Sequence, residues 1–195
     1  MERLKKQIHN IKERRLDNLD KKELFAKSRH PQSAAFYKDQ WSFIKRKSVR
    51  ENIAYQMQYI EFTVNLYNDY QIYLTIESLL CKQLMVAISG VVEAALLSIL
   101  SEGYKSIGES SNQDRNFQSL INLAYTNGLI GDDMKRKLQG LRRVRNAVHI
   151  SSLEYQEHVA YDPGDVNKYL DLLESFRKEL GKALISLRDR WYGVE

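Results

Sequence analysis

The stretch LMVAISGVVEAALLSIL, Leu84 to Leu100, is the most apolar in the chain and constrains the fold more than any other. At about 100° per residue its apolar side chains surround a helix axis, which predicts a central helix covered by neighbours on several sides. It falls short of the roughly 20 residues that a bilayer needs, contains Glu93 and follows Lys82, so it is a poor transmembrane span. Glu93 falls among Val86, Leu97 and Leu100 on the helical wheel and is expected to be buried. A carboxylate in that setting must be neutral or paired with a hydrogen-bonding cation from another helix. Gly90 and Ala94, four residues apart, let a neighbouring backbone approach closely.

The partners of that helix are predicted to be helices too. Among 195 residues there are only 9 Gly and 2 Pro, so the breakers that all-β folds place at every turn are nearly absent. From about Val49 to Tyr73 one face carries Ile53, Met57, Ile60, Val64 and Tyr67, and a second carries Tyr55, Tyr59, Phe62, Leu66, Tyr70 and Tyr73. Apolar on two faces, this helix is expected to sit between neighbours. The tyrosines suit a base-stacking surface; at helical spacing they are also what a core with a wet hydroxyl edge looks like, and the second reading is the commoner. Residues 103–114 read as a loop and Phe117 to Asn127 as a short helix ended by Asn127-Gly128. Asp132 and Asp133 open the next helix at its positive end, and it runs to about His149. Residues 151–161 read as irregular. Asp162-Pro163-Gly164-Asp165 then resembles an N-cap with Pro in the first turn, leading into a final helix striped by Val166, Leu170, Leu173, Phe176, Leu180, Leu184 and Leu187.

Charge divides the chain in two. Residues 1–50 hold 15 Lys/Arg against 6 Asp/Glu, whereas the remainder holds 15 against 19. Residues 1–48 thus read as a basic helical arm, with Leu4, Ile8, Ile11, Leu16 and Leu19 as a thin apolar stripe that cannot fold alone. Residues 49–195 read as a helical-bundle domain. Within the arm Pro31 breaks the helix, and Trp41, Phe43 and Ile44 look like an anchor. Such an arm suits nucleic acid, an anionic membrane or an acidic partner, or is simply a solvated Lys-rich helix. The single cysteine, Cys81, leaves no internal disulfide or Cys-based zinc site and suits a reducing cytoplasm. The opening residues MERLKKQIHNIKERR are charged throughout and unlike a signal peptide.

The chemistry is concentrated in KRKLQGLRRVRNAVHISS, Lys135 to Ser152. On the helical wheel Arg142, Arg145 and His149 fall in one narrow sector with Leu138, beside the apolar stripe of Leu141, Val144 and Val148. Asn146 flanks that line, and Arg143 points elsewhere. Two guanidinium groups and an imidazole on one ridge suit a phosphate. Arginine offers rigid, permanently charged forks to non-bridging oxygens, and histidine exchanges protons near neutrality. Adjacent cations would favour the neutral, basic form of His149. The four histidines, His9, His30, His149 and His158, lack metal-ligand spacing, so neither a metal nor another cofactor is expected. The bland alternative is an Arg-rich helix end suited to the negative pole of the helix, with His149 as a cap.

Arg142-Arg143-Val144-Arg145-Asn146-Ala147-Val148-His149 resembles the signature of the HEPN superfamily, an arginine, usually followed by a polar residue, then a histidine after four to six positions. The lead-in LINLAYTNGLIGDDMKRKLQGLRRVRNAVH is similar to the helices that precede the motif in that family, and the resemblance covers about residues 73–190. Arg145-Asn146 supplies the arginine-polar pair, but only three residues separate Arg145 from His149. Arg142 has six and shares the ridge; Arg143 has five and faces away. The family's arginine is therefore assigned to Arg142, with Arg145 assisting.

The resemblance implies an all-α, HEPN-like bundle of four to five core helices with an N-terminal helical extension, paired as a homodimer with its motif helices across a cleft. It also implies a metal-independent endoribonuclease of the kind found in toxin–antitoxin and defence systems, with RNA and an antitoxin protein as partners and no membrane. His149 would be the base on the ribose 2′-hydroxyl. Arg142 and Arg145 would stabilise the phosphorane-like transition state, and Asn146 would orient the phosphate or His149. Glu93 is the supporting buried acid, and Lys135, Arg136, Lys137 and Arg143 are the expected RNA contacts. The alternatives are a HEPN-like module that binds RNA or a nucleotide without cutting, and a helical interaction protein.

Overall fold

The computed structural model describes residues 30–70, 72–103, 116–147 and 161–192, with side chains at all of these except 102, 103 and 187–192. Among these the protein is all-α, with six helices and no strand. They are α1 (Ala34–Gln40), α2 (Lys47–Asp69), α3 (Leu74–Gly103), α4 (Phe117–Thr126), α5 (Asp132–Ala147) and α6 (Pro163–Tyr192). The expected basic helix over residues 1–28, the loop after Gly103, the irregular stretch from Ser151 and His149 itself lie outside the described residues.

Helix α3 is the centre. It packs against α2, α4, α5 and α6, and Leu84, Met85, Ile88, Val91, Val92, Ala95 and Leu96 are buried among them. By length and composition it is apolar enough to cross a membrane, but 67% of its most apolar window is buried inside the bundle. The expectation of cover on all sides holds over most of the circumference and fails on one strip, where Val86, Gly90 and Leu97 are exposed and Glu93 is half-buried. Four neighbouring helices leave one gap.

The same gap logic corrects the reading of α2. Its first face is in the core, with Ile53 and Ile60 buried and Met57 and Val64 packed against them. Its second face is largely open, with Leu66 half-buried. Phe62 is 51% exposed, and Tyr55, Tyr59, Tyr70 and Tyr73 are exposed beside it. The helix ends at Asp69, before Tyr73, because Tyr70 turns extended. The chain re-enters helix through Leu74, whose φ of 55° lies in the left-handed region that a bulky residue rarely adopts.

The compact unit begins at Gln32, whereas the sequence pattern put the start of the body at Val49. The reason is the apolar anchor: Trp41 and Ile44 are fully buried in the main core. Polar ties add to it. Tyr37 donates its hydroxyl hydrogen to Glu61, the Gln32 amide donates to the same carboxylate, and Arg177 of α6 donates to the Gln40 carbonyl at 3.2 Å. Burial and the Glu61 carboxylate together push the Tyr37 phenol well above its ordinary range.

Local chemistry sets the frame for α5. Asn116 caps α4 by accepting from the Ser119 amide at 2.9 Å. At its other end Gly128, at φ 68°, lets the Leu129 amide reach the Ala124 carbonyl and its own amide reach that of Tyr125. This is a Schellman closure, and it turns the chain into α5. Glu179 of α6 accepts from the Gly131 amide at 2.6 Å, placing a carboxylate at the positive end of α5. Asp162 and Asp165 accept from each other's backbone amides and cap α6, with Pro163 at its first position.

Candidate functional site

Helix α5 is fastened by Met134, Leu138 and Leu141, all buried, which fixes the rotation of the polar ridge beside them. On that ridge Arg145 reaches across to α3, where its Nη2 lies 3.2 Å from Glu93 Oε2. The two side chains are 35% and 27% exposed, so the pair is half-buried. That departs from the full burial expected for Glu93, because Glu93 lies at the edge of the open strip of α3. A carboxylate with access to water tolerates its charge more cheaply than one in a closed core. The required cation from another helix is present, and it is Arg145.

Arg142 stands one turn back. Its Nε donates to Gln139 Oε1 at 2.8 Å, and the side chain is half-buried. Arg145 Nη1 donates to Asn146 Oδ1 at 3.4 Å, so Asn146 flanks the ridge while remaining exposed. Arg143 is exposed and near Tyr169 of α6, where its positive charge partly offsets the rise that burial imposes on the Tyr169 phenol. The structure therefore groups Arg142, Arg145, Asn146 and Glu93, and leaves Arg143 on the α6 side. His149, the expected base, follows two residues after the last described residue of α5. Gln139 is the partner that the wheel did not single out, although its position three residues before Arg142 places it on the same face.

The basic run at the start of α5 is arranged differently. Lys135 Nζ sits 4.1 Å from the centre of the Tyr125 ring on α4. Lys137 is 2.6 Å from Asp133, and Arg136 lies 3.4 Å from Asp132 and 3.6 Å from Asp133. Those two cations, with the Asp133 carboxyl hydrogen-bonded to Lys137, hold Asp133 below the ordinary carboxylate range. The four paired side chains are each more than half exposed, so the pairs are weak and a phosphate can compete for Arg136 and Lys137.

Cys81 takes no part in this ridge. It is buried on α3, and burial pushes its thiol up to about 11, helped by Glu77, Asp162 and Asp165. Among the described residues no three His, Cys, Asp or Glu side chains are grouped so as to hold a metal ion. Chemically, the ridge is a pair of guanidinium groups, one held by a carboxylate and one by an amide, at the half-wet edge of a packed bundle. Compared with family models, with curated proteins and with solved structures, the chain matches none.

Proposed function

We propose that the chain is a metal-independent endoribonuclease of HEPN type that acts on RNA as a homodimer. The observation that carries this reading is the Arg145–Glu93 pair at 3.2 Å, which ties the motif-bearing helix to the core helix beside Arg142. Two permanently charged forks on one ridge suit a phosphodiester, and the ridge leads directly towards His149 in sequence.

In the proposed reaction His149 removes the proton from a ribose 2′-hydroxyl. The oxygen attacks the adjacent phosphorus, the bond to the 5′-oxygen breaks, and that oxygen takes a proton from water. Arg142 stabilises the extra negative charge on the phosphorane-like transition state, with Arg145 assisting and Asn146 orienting the phosphate or His149. The products are a 2′,3′-cyclic phosphate and a 5′-hydroxyl. Lys135, Arg136, Lys137 and Arg143 add sequence-independent attraction to the backbone. A toxin or defence role, held in check by an antitoxin protein, belongs to the same reading.

The test is incubation of the purified chain with single-stranded RNA in EDTA, followed by analysis of the ends. Cleavage giving cyclic phosphates, lost in His149→Ala, is the expected result. Absent cleavage, or cleavage that survives His149→Ala, overturns it. Salt-dependent binding without products, weakened in Arg142→Ala and Arg145→Ala, would instead identify an RNA-binding module.

A further inference from the structure

Helix α3 leaves one strip uncovered, and its spacing is that of a coiled-coil seam. Ile76, Leu79, Gln83, Val86, Gly90 and Leu97 are all exposed, Ile76 by 62% and Leu79 by 50%. Glu93 completes the series, and the steps alternate strictly between three and four residues. That is the repeat with which one helix meets another along its length. Between Ile76 and Leu97 the strip is about 32 Å long.

Gly90 sits on it near the middle of the helix. Glycine is the poorest helix former after proline, so an exposed mid-helix glycine needs a reason. Nothing among the described residues supplies one: its φ is not positive, and a Cβ there would meet nothing within 4 Å. The open space over it leaves room for the close approach of a partner.

We infer that this strip binds the same strip of a second copy, antiparallel, about a two-fold axis level with Ile88. In that register residues equidistant from Ile88 meet. Val86 of each copy packs over Gly90 of the other, Leu79 meets Leu97, and the Gln83 amide faces the Glu93 carboxylate. Large meets small, apolar meets apolar, and a hydrogen-bond donor meets an acceptor. A parallel pairing would set Glu93 against Glu93 and Gly90 against Gly90, placing like charges together and leaving a gap. The strip's self-complementarity about Ile88 argues for a second copy, and charge and shape choose the direction.

The inference specifies the pairing on which the ribonuclease reading relies. The two Glu93 side chains would stand about 15 Å apart along the crossing, ten residues at the helical rise. Each holds the Arg145 of its own copy, so both ridges would border one interface.

Sedimentation of the full-length chain and engineered disulfides test this. A mixture of Leu79→Cys chains with Leu97→Cys chains is expected to cross-link between copies on oxidation, while either variant alone is not. Gly90→Leu is expected to weaken association by about ten- to a hundredfold, as overpacking a close contact does. Gly90→Ala separates folding from association: it should hold or raise Tm, since alanine favours the helix, while loosening the dimer. Cross-linking in Leu79→Cys alone would mean a parallel pairing and overturns the inference. So does a monomer at all accessible concentrations, or association indifferent to Gly90→Leu, as when another segment or a lipid surface covers the strip. Cleavage dependent on His149 in a chain that fails these tests would leave the proposed chemistry standing and remove only this pairing. A dimer that passes them without cleaving RNA would do the reverse.

Discussion

The two ends of α5 carry similar charge and treat it in opposite ways. At the start, Arg136 and Lys137 are paired with Asp132 and Asp133 of their own first turn, and all four side chains are more than half exposed. Near the end, Arg145 leaves its own helix to meet Glu93 on α3, fifty-two residues away in sequence, with both side chains mostly covered. The first arrangement is local and would form in an isolated helix, where solvent screens it. The second exists only once α3 and α5 have packed. A basic run is therefore not one feature: its first half is a solvated surface, and its second half is a joint between helices.

The comparison depends on the packing that holds α5 in place, and removing that packing gives the largest expected effect. Leu138 and Leu141 are both fully buried. Leu138→Ala or Leu141→Ala should cost about 2–5 kcal/mol, read from chemical denaturation, since each leaves a cavity under the ridge. A loss under about 1 kcal/mol would mean that α5 is not seated on the core as described.

Breaking the joint itself comes next. Arg145→Ala strands a half-covered Glu93 and should cost about 1–2 kcal/mol, between the values of exposed and buried pairs. Glu93→Gln keeps an acceptor for the guanidinium and should cost less. If the double variant Arg145→Ala with Glu93→Gln is destabilised by the sum of the two single effects, the pair is not coupled and the contrast with the first turn collapses.

Much of this arrangement could be read before any coordinates. Asn127-Gly128 announced the Schellman closure, and Asp162-Pro163 announced the cap of α6, because both depend on local backbone chemistry. The centrality of α3 followed from apolar residues around its axis. What escaped was coverage. A wheel reports which faces are apolar but not whether enough neighbours exist to hide them, so the aromatic face of α2 and the strip of α3 were both expected to be covered and are both open. Glu93 falls at the edge of that strip, which is why it is half-buried. The wheel does account for its partner. Arg145 lies nearer the apolar centre of α5 than Arg142 does, so Arg145 faces α3 while Arg142 turns back to Gln139.

At the solvated end the expected effects on stability are small and those on RNA are not. Arg136→Ala and Lys137→Ala should each change stability by no more than about 0.5 kcal/mol. If the chain binds RNA through these cations, each substitution should lower the salt dependence of binding by roughly one phosphate contact, uniformly across sequences. Measuring affinity against salt for both variants and for Arg142→Ala sharpens the division of α5. A loss from Arg142→Ala well above those from Arg136→Ala and Lys137→Ala at the same salt would separate a positioned phosphate contact from a diffuse one.

The smallest effect tests whether the local pairs exist at all. Lys137 and Arg136 hold the Asp133 carboxyl below its ordinary value of 3.8. A carboxylate with a depressed folded-state pKa contributes stability above its unfolded value, and that contribution is lost as pH falls through the folded one. Because Asp133 is exposed, the contribution is slight and is best followed at the residue itself. In an NMR titration its midpoint should fall below 3.8 and return towards that value in Lys137→Ala, while high salt should reproduce much of the return by screening. A midpoint unmoved by Lys137→Ala would mean that the first turn of α5 does not neutralise its own cations. Those lysine and arginine side chains would then be unpaired, and the two ends of the helix would differ in burial but not in how their charge is balanced.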